Sequence, residues 1–103
     1  MNKQIFNDIQ TLKRRILPNE KVILFGSQAR GDAKEGSDWD LLVLLNKEKS
    51  DFNEDYDKYA YPFDELGLKY DTYISAKIYT INDWESHPSI LKYNVEQEGI
   101  EII

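Results

Sequence analysis

Leu41-Leu42-Val43-Leu44-Leu45 is an unbroken run of five apolar residues. It is short enough for a strand and too short for a helix. Because successive strand residues point to opposite faces, it is apolar on both. Such a strand must lie inside a sheet and be covered on both sides at that end. A second run, Lys21-Val22-Ile23-Leu24-Phe25, is stopped by Gly26 and reads as another buried strand. A chain of 103 residues holds one domain, 1–103, since a second would leave neither half enough apolar surface to fold alone.

Other segments supply the remaining layers. Ile5, Ile9, Leu12 and Ile16 recur at helical spacing, so residues 3–17 are expected to form an amphipathic helix ended by Pro18. Ser27 is a natural N-cap for a short turn of helix through Arg30, ended by Gly31. Phe52, Tyr56, Tyr59, Phe63 and Leu66 are again helically spaced, but Pro62 inside the pattern predicts a break or kink near Tyr61. Residues 69–80 alternate. Thr72, Ile74, Ala76 and Ile78 point one way, and Asp71, Tyr73, Ser75, Lys77 and Tyr79 point the other. Asn82 or Ser86 would cap one last helix with Gly99 as its stop, before a closing strand over 100–103. The order predicts an α/β (α+β) two-layer sandwich, a mixed sheet with helices on one face and the polar residues of the third strand on the other.

Composition narrows the function. A formal charge of −6, with acidic residues densest between Asp51 and Glu65, repels the phosphate backbone and argues against DNA or RNA as a bulk partner. No apolar run approaches the roughly 20 residues that span a bilayer, and nothing behind Met1 reads as a signal peptide. The chain has no Cys, hence no disulfide framework and no thiolate metal site, which fits a cytoplasmic protein. Seven Tyr suit either a half-buried sheet face or a protein-binding surface that allows an oligomer.

One constellation carries chemistry. Gly26 follows a strand and precedes a helix start, so nearby amides can meet an anion, with Ser27 adding a hydroxyl and Arg30 a guanidinium. Ten residues after Ser27 come Asp38-Trp39-Asp40. Two apart at a strand start, Asp38 and Asp40 share a face with Cβ atoms roughly 6–7 Å apart, close enough to hold one Mg²⁺ or bridge two. Asp40 leads directly into the buried run, where an uncompensated carboxylate is costly and a cation offsets the cost. Asp71, heading the polar face of the third strand, is the candidate third carboxylate. Lys77 on that face reads as a solvated side chain or a phosphate contact, and His87 as a cap or loop residue.

Gly26-Ser27-Gln28-Ala29-Arg30-Gly31, followed by Ser37-Asp38-Trp39-Asp40-Leu41-Leu42-Val43, resembles the signature of the minimal nucleotidyltransferases of the DNA polymerase β superfamily, and Val95-Glu96-Gln97-Glu98-Gly99-Ile100 resembles their C-terminal end. The resemblance implies the nucleotidyltransferase fold and transfer of a nucleoside monophosphate from an NTP, ATP foremost, to a hydroxyl with two Mg²⁺ ions. Gly26 and Ser27 would hold the phosphates, with Arg30 beside them. Asp38 and Asp40 would ligate both metals, and Asp71 would match the third catalytic carboxylate. Thr72 and Tyr73 follow Asp71 where the family carries apolar residues. The chain has no room for an acceptor domain, so the acceptor would be another protein. Small chains of this kind resemble the antitoxin halves of toxin-antitoxin pairs, which adenylylate a Tyr of a helical toxin. The alternative is a nucleotidyltransferase-like module that neutralises its partner by binding alone.

Overall fold

The computed structural model describes all 103 residues. Helix α1 (Lys3–Ile16) is capped by Asn2, whose side chain accepts from the Ile5 amide. Strand β1 (Lys21–Phe25) leads into the single turn α2 (Ser27–Arg30), and β2 (Trp39–Leu45) contains the apolar run. Then come α3 (Phe52–Asp55), a π-helical turn (Tyr56–Ala60), α4 (Tyr61–Lys69), β3 (Ile74–Thr80), α5 (Ile81–Ser86), α6 (Ile90–Glu98) and β4 (Ile100–Ile102). The four strands form one mixed sheet in the order β3-β2-β1-β4. β1 runs antiparallel to β2 and β4, and β2 parallel to β3.

β2 is covered on both sides, as its sequence demands. On one face Ile5, Ile9 and Leu12 of α1 and Phe63 of α4 pack against Val22, Leu24, Leu41, Val43 and Ile74. On the other, Trp84 of α5 and Val95 of α6 cover Phe25, Leu42 and Leu44. The second cover is a partial extra layer beyond the helices expected on one face. It exists because the alternate residues of β1 and β2 are apolar too. It stops short of Asp40, Ser75 and Lys77, and that end of the face stays open.

Four local expectations are corrected or sharpened. Of the break or kink expected near Tyr61, the break does not occur and the disturbance is a local distortion of the helix. Proline has no N–H and its ring crowds the carbonyl four residues back, and the chain answers by widening one turn, with the Tyr61 amide donating to the Tyr56 carbonyl five residues earlier. The third strand starts at Ile74 rather than at 69, because α4 continues to Lys69 and the Gly67 carbonyl then accepts from both the Tyr70 and Thr72 amides, 3.0 Å each. The last helix is two helices, separated at His87-Pro88 and capped by Thr80 and Ser89 instead of Asn82 or Ser86. Gly26, not Ser27, is the N-cap of α2.

Candidate active site

The antiparallel register sets Phe25, the last residue of β1, opposite Asp40 of β2. The chain then leaves the sheet through Gly26 at φ 79°, where a side chain is strained. A Cβ built on Gly26 would lie 2.5 Å from Asp40 Oδ2. Glycine is therefore required twice over, and the turn and the carboxylate are in direct contact. Ser27 opens α2, so its amide and that of Gln28 have no backbone acceptor.

The loop from Gly31 to Ser37 is tied back to α2. Buried Gln28 donates through Nε2 to the Ser37 carbonyl at 3.3 Å, and Ser37 Oγ accepts from the Lys34 amide at 2.8 Å. Trp39 is buried in the α1-side core, and its amide donates to the Tyr73 carbonyl at 2.8 Å. With Trp39 anchored on one face, Asp38 and Asp40 share the other, Asp38 exposed and Asp40 half-buried. Burial, then the charge of Asp38, pushes the Asp40 carboxyl above its ordinary range, while Lys77 and Arg30 pull it back. Arg30 directs its donors elsewhere: Nε to Asp32 at 3.2 Å, and Nη1 to Glu98. Two neighbouring carboxylates, one half-buried and pressed against a glycine turn, are a donor set that fits one divalent cation.

Asp71 does not join them. It sits in the turn before β3 at φ 51°, exposed, along a depression on the α1 side with Asn2, Gln28 and Ser37. The residue paired beside Asp40 is Ser75, and Lys77 follows on the same face. No three His, Asp or Glu side chains come together as a metal site, so the ligand set Asp38, Asp40 and Asp71 is not assembled. The reason is local. The turn consumes residues 70–73, and the acidic start expected of the strand falls outside it.

Glu98 is the site residue that sequence reasoning missed. At the C-terminal end of α6, its Oε1 accepts from the Gly26 amide at 3.1 Å and from Arg30 Nη1 at 3.2 Å, and its Oε2 from Nη1 at 3.1 Å. These partners lie 72 and 68 residues away in sequence. Periodicity cannot reach that far; the hints were its place in the family-like segment Val95-Glu96-Gln97-Glu98-Gly99-Ile100 and its position just before the helix stop at Gly99. A broad concavity lies elsewhere, between α5, α6 and the sheet, lined by Lys21, Leu44, Trp84 and Lys92. The carboxylates instead stand at the surface, Asp38 exposed and Asp40 half-buried.

Comparisons with known proteins bear on the family and the fold. A family model described as "Nucleotidyltransferase domain" matches residues 3–97. The "Putative protein adenylyltransferase MJ0141" of Methanocaldococcus jannaschii is 40% identical over 82 residues, covering 75% of this chain and 74% of that protein. Among solved structures, one described as a toxin-antitoxin with AMP-PNP aligns with a TM-score of 0.64 at 22% identity, over 95% of this chain and 72% of the other. The toxin-antitoxin MntA-HepT aligns with a TM-score of 0.62 at 19% identity, over 99% and 72%. Those two likenesses concern the fold, an α+β mixed sheet with helices. The match along nearly the whole chain, with a glycine turn seated on paired aspartates, establishes that the chain belongs to the nucleotidyltransferase domain family.

Proposed function

We propose that this nucleotidyltransferase moves AMP from ATP onto a hydroxyl of a partner protein, as the antitoxin half of a toxin-antitoxin pair. The observation that carries the reading is the contact of Gly26 with Asp40, with Asp38, Arg30 and Lys77 close enough to act on the same charge. The relative's name as a protein adenylyltransferase and the toxin-antitoxin fold neighbours support the acceptor. A helical, basic partner suits a chain of charge −6. The nucleotide donor and the cysteine-free sequence support a cytoplasmic setting.

In this reading the acceptor oxygen bonds to the α-phosphorus, the bond to the β-phosphate oxygen breaks, and pyrophosphate leaves with the acceptor's proton passing to solvent or phosphate. The Ser27 amide and hydroxyl hold phosphate oxygens, Arg30 and Lys77 neutralise charge, and Asp38 and Asp40 are the residues that would hold a divalent metal. A bound Mg²⁺ would orient the triphosphate and offset the charge developing on it. Asp40, held above the ordinary carboxylate range by burial and Asp38, favours ion binding because a cation relieves that repulsion. The residues in place fit one ion; the second ion, which Asp38 and Asp40 were expected to share, finds no third carboxylate beside them.

A contact-only module is the second reading, favoured by one observation: Ser75, not a carboxylate, flanks Asp40. One incubation separates them. The chain is mixed with ATP labelled at the α-phosphate, Mg²⁺ and the product of the adjacent gene. Label on that product, lost at least 100-fold in Asp38→Ala, supports the enzyme. Full neutralisation by Asp38→Ala, without label, supports the contact-only module.

A further inference from the structure

Arg30 is held from two sides. Its Nε donates to Asp32 at 3.2 Å and its Nη1 to both oxygens of Glu98, leaving Nη2 as the nitrogen with no protein partner. The Glu98 side chain is only 16% exposed against 46% for Arg30, so the carboxylate is the fixed member of the pair. The same Glu98 Oε1 takes the Gly26 amide, and Gly26 is the residue pressed against Asp40. Glu98 itself sits on α6, which Val95 anchors to the sheet through Phe25 and Leu42. Gly99 behind it is packed so closely that a Cβ there would be 2.6 Å from Ile23 Cγ2. The end of α6 therefore has little freedom to move.

From this geometry we infer that Glu98 is a positioning residue for phosphate binding: it locks the Gly26 turn and the Arg30 guanidinium into one unit and leaves Nη2 to meet a triphosphate oxygen. The inference rests on the nucleotide reading above and adds a residue to it. A long, flexible arginine loses rotamer freedom on meeting a phosphate, and a guanidinium already clamped by carboxylates loses less. Glu98 touches no reacting atom. It acts through Arg30 and through the backbone of Gly26.

The test has a nucleotide-free arm and a nucleotide arm. In nuclear magnetic resonance of the chain alone, Glu98→Ala is expected to speed solvent exchange of the Gly26 amide roughly tenfold and to release the Arg30 Nη1 hydrogens while the Nε–H stays on Asp32, with helix content unchanged. In calorimetric titration with AMP-PNP and Mg²⁺, Glu98→Ala should weaken binding roughly tenfold, the effect of one charge-assisted hydrogen bond. Glu98→Gln, which keeps an acceptor for Gly26, should recover part of that affinity. In an Arg30→Ala background, Glu98→Ala should cost clearly less, since only its hold on the Gly26 amide remains to be lost. Tighter AMP-PNP binding by Glu98→Ala would mean that the carboxylate competes with phosphate, and an equal loss in the Arg30→Ala background would reduce Glu98 to a general fold contact. Either result overturns the proposal, as does unchanged Gly26 exchange. If the native chain binds no AMP-PNP while the exchange effect holds, the nucleotide reading is what fails, and the assignment of Nη2 to phosphate falls with it.

Discussion

Gly26 and Asp40 make one unit, and each sets limits on the other. Replacing Gly26 with Ala puts a methyl 2.5 Å from a carboxylate oxygen at a φ of 79°. The expected cost is about 1–3 kcal/mol of stability, with loss of AMP-PNP binding; a variant that melts like the native chain and binds equally would remove the contact from the argument. Asp40 offers a complementary measurement. Its carboxyl is held above its ordinary range by burial and by Asp38. The protonated form is therefore the one favoured by folding, and this contribution is complete below the unfolded value near pH ~3.9 and lost as pH rises through the higher folded value. Without divalent cations, Asp40→Asn should melt above the native chain at neutral pH, with the gap closing on acidification. Calorimetric scans from pH 4 to 8 check this, and a gap that does not depend on pH would contradict it.

At the scale of elements, turns decide where polar faces begin. The alternation through residues 69–80 was plain in the sequence, and its apolar half, Ile74, Ala76 and Ile78, does face the α1 side. What the alternation could not reveal is that α4 extends to Lys69, so that Asp71 lies in a turn and Ser75 stands beside Asp40. That outcome depends on Gly67, where a Cβ would lie 2.5 Å from the Thr72 carbonyl and 3.2 Å from the Ile74 amide. Both obstacles are backbone and cannot swing aside. Gly67→Ala should cost about 1–3 kcal/mol, read as a melting temperature lower by several degrees, with chemical-shift changes concentrated at residues 70–76. A variant with an unshifted β3 would show that the turn is set by other contacts. Pro62 teaches the same lesson: the helical period survived it because one widened turn removes the clash that a regular helix would suffer.

For the molecule as a whole, acid stability depends in part on a buried carboxylate outside the aspartate pair. Asp55 is 2% exposed, and its oxygens accept from Lys47 Nζ at 2.6 Å, Ser50 Oγ at 2.7 Å and the Asp51 amide at 3.0 Å. Burial alone would raise its pKa, but Lys47, Ser50 and the backbone outweigh burial and hold it below the ordinary value. The sign is opposite to that of Asp40: the stabilisation is present above the unfolded pKa and is lost as pH falls through the folded one. Asp55→Asn should lose about 1–3 kcal/mol at pH 7 and show a flatter decline in acid. Urea titrations at pH 7 and pH 3 measure both, and an unchanged acid slope would remove Asp55 from the account. By itself the sequence determined the buried strands, the first helix and the coupling of a glycine turn to paired aspartates, because those signals are local: strand period, helix period and a short spacing. The tertiary structure alone decided that Glu98 enters the site, that Asp71 stays out and that α5 and α6 cover part of the second face. Those outcomes depend on which distant segments pack side by side, and no local pattern encodes the strand register or the contact across 72 residues.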